Sequence, residues 1–247
     1  MSAWGRVLNT IVLLTGVVEA PYLSARLKEL APSLRVLVVS ALADLLAVPG
    51  EVLAHARLVS FATGVVVPGS VLRQLGYGAY NFHPGPPAYP GLMPAQLAVY
   101  QGSAEFGVTA HAMAERVDAG PIVGTIVFNV PPDPTVEVLE LLSFGELLRL
   151  FWQLAPLLAA SAEPLAELPM RWGTARSTRR SMAALAEIAP DISAEELELR
   201  VAAFAGNLHG IVPTITLHGH RFRLVAEPAT PTAVVPAPEP EIRALAS

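Results

Sequence analysis

Asn81 and His83 stand either side of Phe82 on a stretch, Tyr77 to Phe82, whose composition reads as extended chain. Alternate side chains of a strand share a face, so an amide and an imidazole project together while Phe82 points the other way. The residues that follow, Pro84 to Gly91 (PGPPAYPG), cannot continue a strand and form a stiff loop over the same edge. Asp118 comes 35 positions after His83, in the polar segment ERVDAG between two further strand-like runs. Acyl transfer to an amine needs a donor for the oxyanion, a group to move the amine proton, and a third group to position that one. Asn81, His83 and Asp118 match these roles. An Asn-x-His pair at a strand end also serves as a loop-anchoring hydrogen-bond set, and spacing alone leaves both readings open.

These residues need a scaffold that brings distant segments together, and the hydrophobic pattern describes one. Val12 to Thr15 is a continuous apolar strand; Ala20 to Leu30 carries Leu23, Leu27 and Leu30 at helical spacing, with Pro21 suited to a first turn. Leu34 to Ser40 and Leu58 to Ala62 are further buried strands, and VVVPGSVLRQLG after Gly64 is an extended piece leading into a short helix. Beyond the Asn-x-His strand come a helix over Ala95 to Tyr100, strands over Gly107 to Met113 and Ile122 to Val130, and a long apolar helix from Val136 to Ala160. Repeated β-α alternation predicts an α/β fold: a mainly parallel twisted sheet with helices on both faces, Rossmann-type in character, with His83 and Asp118 at one sheet edge. Phe151 and Trp152 on the long helix are read as core.

The expected organisation is a main domain over residues 1–165, a short appendage of helix and β-hairpin over 166–226, and a flexible tail rich in proline and alanine over 227–247. Ser193-Ala194-Glu195-Glu196 is a capping box that opens a helix to Phe204, and TITLHGHRFRLV is a hairpin turning near Gly219. The basic run Arg171 to Arg180 reads as a solvated face, with an anion or partner contact as the sharper alternative.

The stretch from Asn81 to Val123 resembles the signature region of the folate-dependent formyltransferases, the group that holds the glycinamide ribonucleotide and methionyl-tRNA formyltransferases and the formyltetrahydrofolate hydrolases. Their pattern of Asn-x-His-Pro, a proline and glycine loop, Gly-x-Thr and Asp-x-Gly appears here as Asn81, His83, Pro84, Gly91, Gly107, Thr109, Asp118 and Gly120. The similarity runs from about residue 8 to residue 160. It implies a formyltransferase-like fold and 10-formyltetrahydrofolate as formyl donor, with Asn81, His83 and Asp118 as the catalytic set. It also implies a pterin pocket lined largely by backbone from Gly64, Val65, Val66 and Val67 and from Ala114, Glu115, Arg116 and Val117. The implied reaction is formyl transfer to an amine of a small metabolite or sugar nucleotide; hydrolysis of the donor and a catalytically silent folate-binding or accessory protein are the alternatives.

The chain departs from the family pattern on the acceptor side. Pro87-Ala88-Tyr89-Pro90-Gly91 lacks the basic residues usual after His-Pro, and the first turn, TGVVEAP, lacks Gly-rich amides that would cradle a phosphate. Residues 171–226 resemble only the beginning of the C-terminal domain of methionyl-tRNA formyltransferase. His111 is open between lining the site and a structural role. His209, His218 and His220 have no carboxylate at ligand spacing, so no metal is expected.

Composition narrows the remaining classes. The 247 residues are 53% hydrophobic, with a net charge of −5 that disfavours a nucleic-acid partner. No uninterrupted apolar run is long enough to span a bilayer, so no membrane partner is expected, and the N-terminal apolar stretch reads on as strand and helix rather than as a cleaved signal. The absence of cysteine removes disulfides and thiolate chemistry and agrees with a cytoplasmic setting. The expected partners are folate and a small-molecule acceptor.

Overall fold

A computed structural model describes residues 8–204 and 209–225; the predicted tail over 227–247 lies outside them. The chain runs β1 (Thr10–Leu14), α1 (Ala20–Leu30), β2 (Arg35–Val39), α2 (Leu42–Leu46), α3 (Gly50–Leu53), β3 (Ala56–Phe61), α4 (Gly69–Leu72), β4 (Ala79–His83), α5 (Pro94–Tyr100), β5 (Glu105–Ala112), β6 (Ile122–Asn129) and α6 (Val136–Ala160). It continues with α7 (Arg179–Leu185), β7 (Glu187–Ile188), α8 (Ala194–Phe204), β8 (Thr214–Leu217) and β9 (His220–Arg223). The main sheet has the order β2-β1-β3-β4-β5-β6. β1 to β4 are mutually parallel, β5 is antiparallel to both its neighbours, and the sheet is therefore mainly parallel.

Strand alternation divides the core in two. Ile11, Leu13, Val59, Phe61, Phe82, Val108 and Ala110 pack under α1 and α6, whereas Val12, Leu14, Leu58 and Ala79 pack under α2, α3 and α4. β2 is not the buried strand its apolar run suggests; it lies at the end of the sheet order with Val38 43% exposed. An unbroken apolar run cannot tell an outer strand from a central one when a helix covers part of it. α6 is long and apolar enough to cross a membrane by length and composition. Here it is a core helix, with Leu139, Leu147, Leu150, Phe151 and Leu158 buried. Trp152, expected in the core beside Phe151, is 39% exposed because it falls on the helix's outer side.

One core feature has no hydrophobic signature. Arg57, fully buried on β3, donates to five carbonyls: Tyr77 from Nε at 3.1 Å, Leu157, Leu158 and Ser161 from Nη1 at 3.2, 2.8 and 2.9 Å, and Glu163 from Nη2 at 2.9 Å. The Leu158 and Ser161 carbonyls lie at the C-terminal end of α6, and that of Leu157 also accepts from the Ser161 N–H; there a cation also meets the negative end of the helix dipole. Burial lowers the Arg57 pKa, with Tyr80 opposing the shift.

The appendage is larger than a helix and a hairpin. β7 joins the β8-β9 hairpin to make a three-stranded sheet, and Met182, Ala186, Ala203, Phe204 and Ile211 pack on Met93 at the start of α5. Ser193 caps α8 by accepting from the Glu196 N–H at 3.2 Å, as its sequence predicts.

Candidate active site

β4 and β5 lie side by side inside the sheet, not at its edge, with Asn81 opposite His111 and His83 opposite Thr109. Cross-strand partners share a face, so these four side chains emerge together. The loop from Met113 to Pro121 folds back over that face, and Asp118 reaches into it with a left-handed φ of 44°. Such a conformation in a non-glycine residue costs about 1–3 kcal/mol and persists where the surroundings hold it. Three contacts hold it: Gly91 N–H donates to Asp118 Oδ2 at 2.8 Å, Arg176 Nη2 to the Asp118 carbonyl at 2.9 Å, and Trp172 Nε1 to the Gly120 carbonyl at 2.8 Å.

His83 Nδ1 is 3.7 Å from Asp118 Oδ2, and His111 Nε2 is 3.2 Å from Asp118 Oδ1. The carboxylate therefore lies closer to His111 than to the histidine it was expected to orient. His111 Nε2 is also 3.2 Å from Asn81 Nδ2, so one ring nitrogen lies within hydrogen-bond distance of both Asn81 and Asp118 and, having a single site, bonds to one of them at a time, while the ring lines the cavity. Both roles left open for it in the sequence are filled by one side chain. His83 Nε2 donates to the Tyr89 carbonyl at 3.0 Å; a carbonyl only accepts, so that nitrogen carries a hydrogen and Nδ1 holds the lone pair when the ring is neutral.

Electrostatics follow from burial: His83 is 5% and Asp118 4% exposed. Burial holds the His83 pKa below the ordinary histidine value, partly offset by Asp118 and the bond to Tyr89, and reinforced by His111 and Arg176. For Asp118, burial pushes upward, but the His111 hydrogen bond, the two imidazoles and the Gly91 amide outweigh it and hold the carboxyl below its usual range. At neutral pH the site pairs a neutral His83 with an ionised Asp118.

A cavity of about 450 Å³ opens beside these groups. Gly64, Val65, Val66, Val67, Ala114, Glu115, Arg116 and Val117, named from the sequence as a pterin pocket, all line it together with Asn81, His83, His111 and Asp118. Their side chains differ in use. Val67 is buried in the core under the sheet, while Val66 is 59% and Val117 43% exposed.

Sequence reasoning missed the strap over residues 172–178. Gly173 N–H donates to Pro87, Ser177 N–H to Pro90, and Leu92 N–H to Ser177, tying the strap to the loop after His83. Gly91 has a φ of 104° and a Cβ there would collide with the Ser177 carbonyl, which accounts for glycine at this position. The Trp172 ring stands edge-on to both His83 and His111, with centroids 5.8 and 5.0 Å away. Arg176 thus departs from the solvated-face reading of the basic run, whereas Arg171, Arg179 and Arg180 are exposed. The segment carries no periodicity, and only its Trp and Arg could have marked it. Among the described residues, no three His, Cys, Asp or Glu side chains group as metal ligands.

Residues 52–141 match the formyl transferase family. A methionyl-tRNA formyltransferase from Thermotoga neapolitana is 36% identical over 84 residues, which is 34% of this chain and 27% of that protein. The match therefore spans about a quarter of that relative's length. In three dimensions the chain resembles a sugar N-formyltransferase from Shewanella sp FDAARGOS_354, with a TM-score of 0.68 and 14% identity, over 88% of this chain and 96% of that one. It also resembles an N-formyltransferase from Helicobacter canadensis solved with folinic acid and dTDP-3-aminofucose, with a TM-score of 0.60 and 13% identity, over 86% of this chain and 85% of that one. At these identities the likeness concerns the fold.

Proposed function

We propose, from the match of residues 52–141 to the formyl transferase family, that this chain moves a formyl group from 10-formyltetrahydrofolate to the amine of a small metabolite or sugar nucleotide. The observation that carries this reading is the meeting of Asn81, His83 and Asp118 at the wall of one cavity whose other walls are residues 64–67 and 114–118. The donor's pterin ring lies in the slot beside Val65, hydrogen-bonded mainly to loop backbone. The folinic acid of the Helicobacter canadensis relative supports a folate in this fold, and a cysteine-free chain accords with cytoplasmic folate chemistry.

In this reading the neutral amine attacks the formyl carbon and a C–N bond forms as the carbonyl oxygen becomes an oxyanion. An Asn81 N–H donates to that oxygen. His83 Nδ1 takes the amine proton, and the resulting imidazolium adds a second favourable charge next to Asp118. The bond from the formyl carbon to N10 then breaks, N10 takes the proton back, and the formamide and tetrahydrofolate leave. His83 starts neutral because burial lowers its pKa, so it enters as base and becomes the cationic donor only after proton transfer.

The reading is tested by incubating the protein with 10-formyltetrahydrofolate, with and without a panel of amines, and following tetrahydrofolate release. Release that needs an amine supports transfer; release at the same rate in water alone identifies a hydrolase; folate binding with no release identifies a binding protein.

Two variants probe the site separately. Val65→Asp puts a charge against the apolar slot and is expected to weaken binding of a non-reactive folate analogue by about tenfold or more, read by fluorescence titration. Val67 does not serve here, because its buried side chain would report on folding instead. Unchanged affinity in Val65→Asp would remove the pterin from this slot. Asp118→Asn keeps the shape but removes the charge that raises the His83 pKa, so that pKa drops further. His83 acts in its neutral form, and activity is lost as pH falls through its pKa. The acid limb of the pH-rate profile should therefore move to lower pH while the maximum falls by about 10²-fold. A limb that stays in place, or moves upward, contradicts the coupling.

A further inference from the structure

A second cavity, of about 330 Å³, shares His83, Thr63, Gly64 and Leu92 with the first but extends towards α5 and α6 instead of the 114–118 loop. Its walls are apolar, from Met93, Pro94, Ala95 and Phe144, and among the described residues its ionisable groups are His83, Glu140 and His209. No lysine or arginine among those residues lines it. Glu140 is held in place: buried Gln96 donates from Nε2 to Glu140 Oε1 at 3.2 Å, and His209 Nε2 stands 3.6 Å from the same oxygen. A phosphate placed here would face the Glu140 carboxylate, with no lysine or arginine among the described residues to offset the repulsion.

The other place where a sheet of this kind cradles a phosphate, the helix start after β1, is also closed to anions. Glu19 is the N-cap of α1, its carboxylate lies against Gly16, and Pro21 in the first turn removes an N–H. The adjoining Val17 and Val18 are 78% and 71% exposed. Both positions favour a cation or an apolar group.

Resting on the formyl-transfer reading above, we propose that the acceptor is a small, phosphate-free diamine: one nitrogen reacts at His83 and a second, non-reacting ammonium is held by Glu140. The attacking nitrogen must be neutral, and a carboxylate contact would keep it protonated. Glu140 therefore suits the other nitrogen. The cavity is at the small end of ligand sites, the size of a short aliphatic body.

The test compares 1,5-diaminopentane, 1-aminopentane and a UDP-linked amino sugar as acceptors with 10-formyltetrahydrofolate, in the wild type and in Glu140→Gln, with melting temperatures recorded for both. The diamine is expected to exceed the monoamine in kcat/KM by about tenfold, the scale of one charge-assisted contact, and Glu140→Gln should remove that advantage. Calorimetry with tetrahydrofolate present should show the same Glu140-dependent binding of 1,5-diaminopentane. Tetrahydrofolate release accelerated by the nucleotide amino sugar alone overturns this proposal and leaves formyl transfer standing. Release that no amine accelerates overturns both. A diamine preference that survives Glu140→Gln also overturns the assignment.

Discussion

His83→Ala is expected to reduce turnover about 10³-fold or more while leaving affinity for a non-reactive folate analogue little changed. The variant removes the base that takes the amine proton and the cation that then faces the oxyanion, and no neighbouring group replaces both. His111 lies in the same cavity, but its Nε2 is already taken up by Asn81 or Asp118. Turnover is measured at saturating donor, with the melting temperature alongside, because His83 is buried and donates to the Tyr89 carbonyl. Near-wild-type turnover with a melting temperature several degrees lower would make His83 a structural residue and remove the mechanism built on it.

The second large effect lies far from the chemistry. Arg57→Met keeps the aliphatic stem but withdraws the donors serving Tyr77, Leu157, Leu158, Ser161 and Glu163. Buried carbonyls left without partners cost about 1–3 kcal/mol each and are not additive. A loss of roughly 3–5 kcal/mol is expected overall, which for a chain of this size lowers the melting temperature by about 10 °C. Lysine should rescue little, since one ammonium cannot reach carbonyls spread around a planar fork. Urea denaturation showing a loss below about 1 kcal/mol would mean that water takes over the carbonyls and that Arg57 is not the clasp of α6.

Neither effect could be ranked from composition, yet much of the fold could be read directly. Strict alternation in Ala79–His83 put Asn81 and His83 on one face and Phe82 in the core, because strand geometry has a period of two and leaves no freedom once the strand exists. Apolar runs and helical spacing likewise marked β1, α1, β6 and α6, and the ordered elements from Asn81 to Gly120 fall within the segment that matches the formyl transferase family. What periodicity does not encode is contact between segments far apart in the chain. Asp118 lies nearer to His111 than to His83, since the loop after β5 folds back on the sheet, a path set by its φ of 44° and its bonds to Gly91, Trp172 and Arg176. The strap over 172–178, the Arg57 clasp and the placement of Glu140 beside the second cavity depend in the same way on tertiary packing. Local sequence thus determined which residues share a strand face or a helix stripe, because short-range sterics fix those relations. Which polar groups meet at the site was decided only by the tertiary structure, because their partners lie tens of residues away and each buried donor or acceptor had to find one.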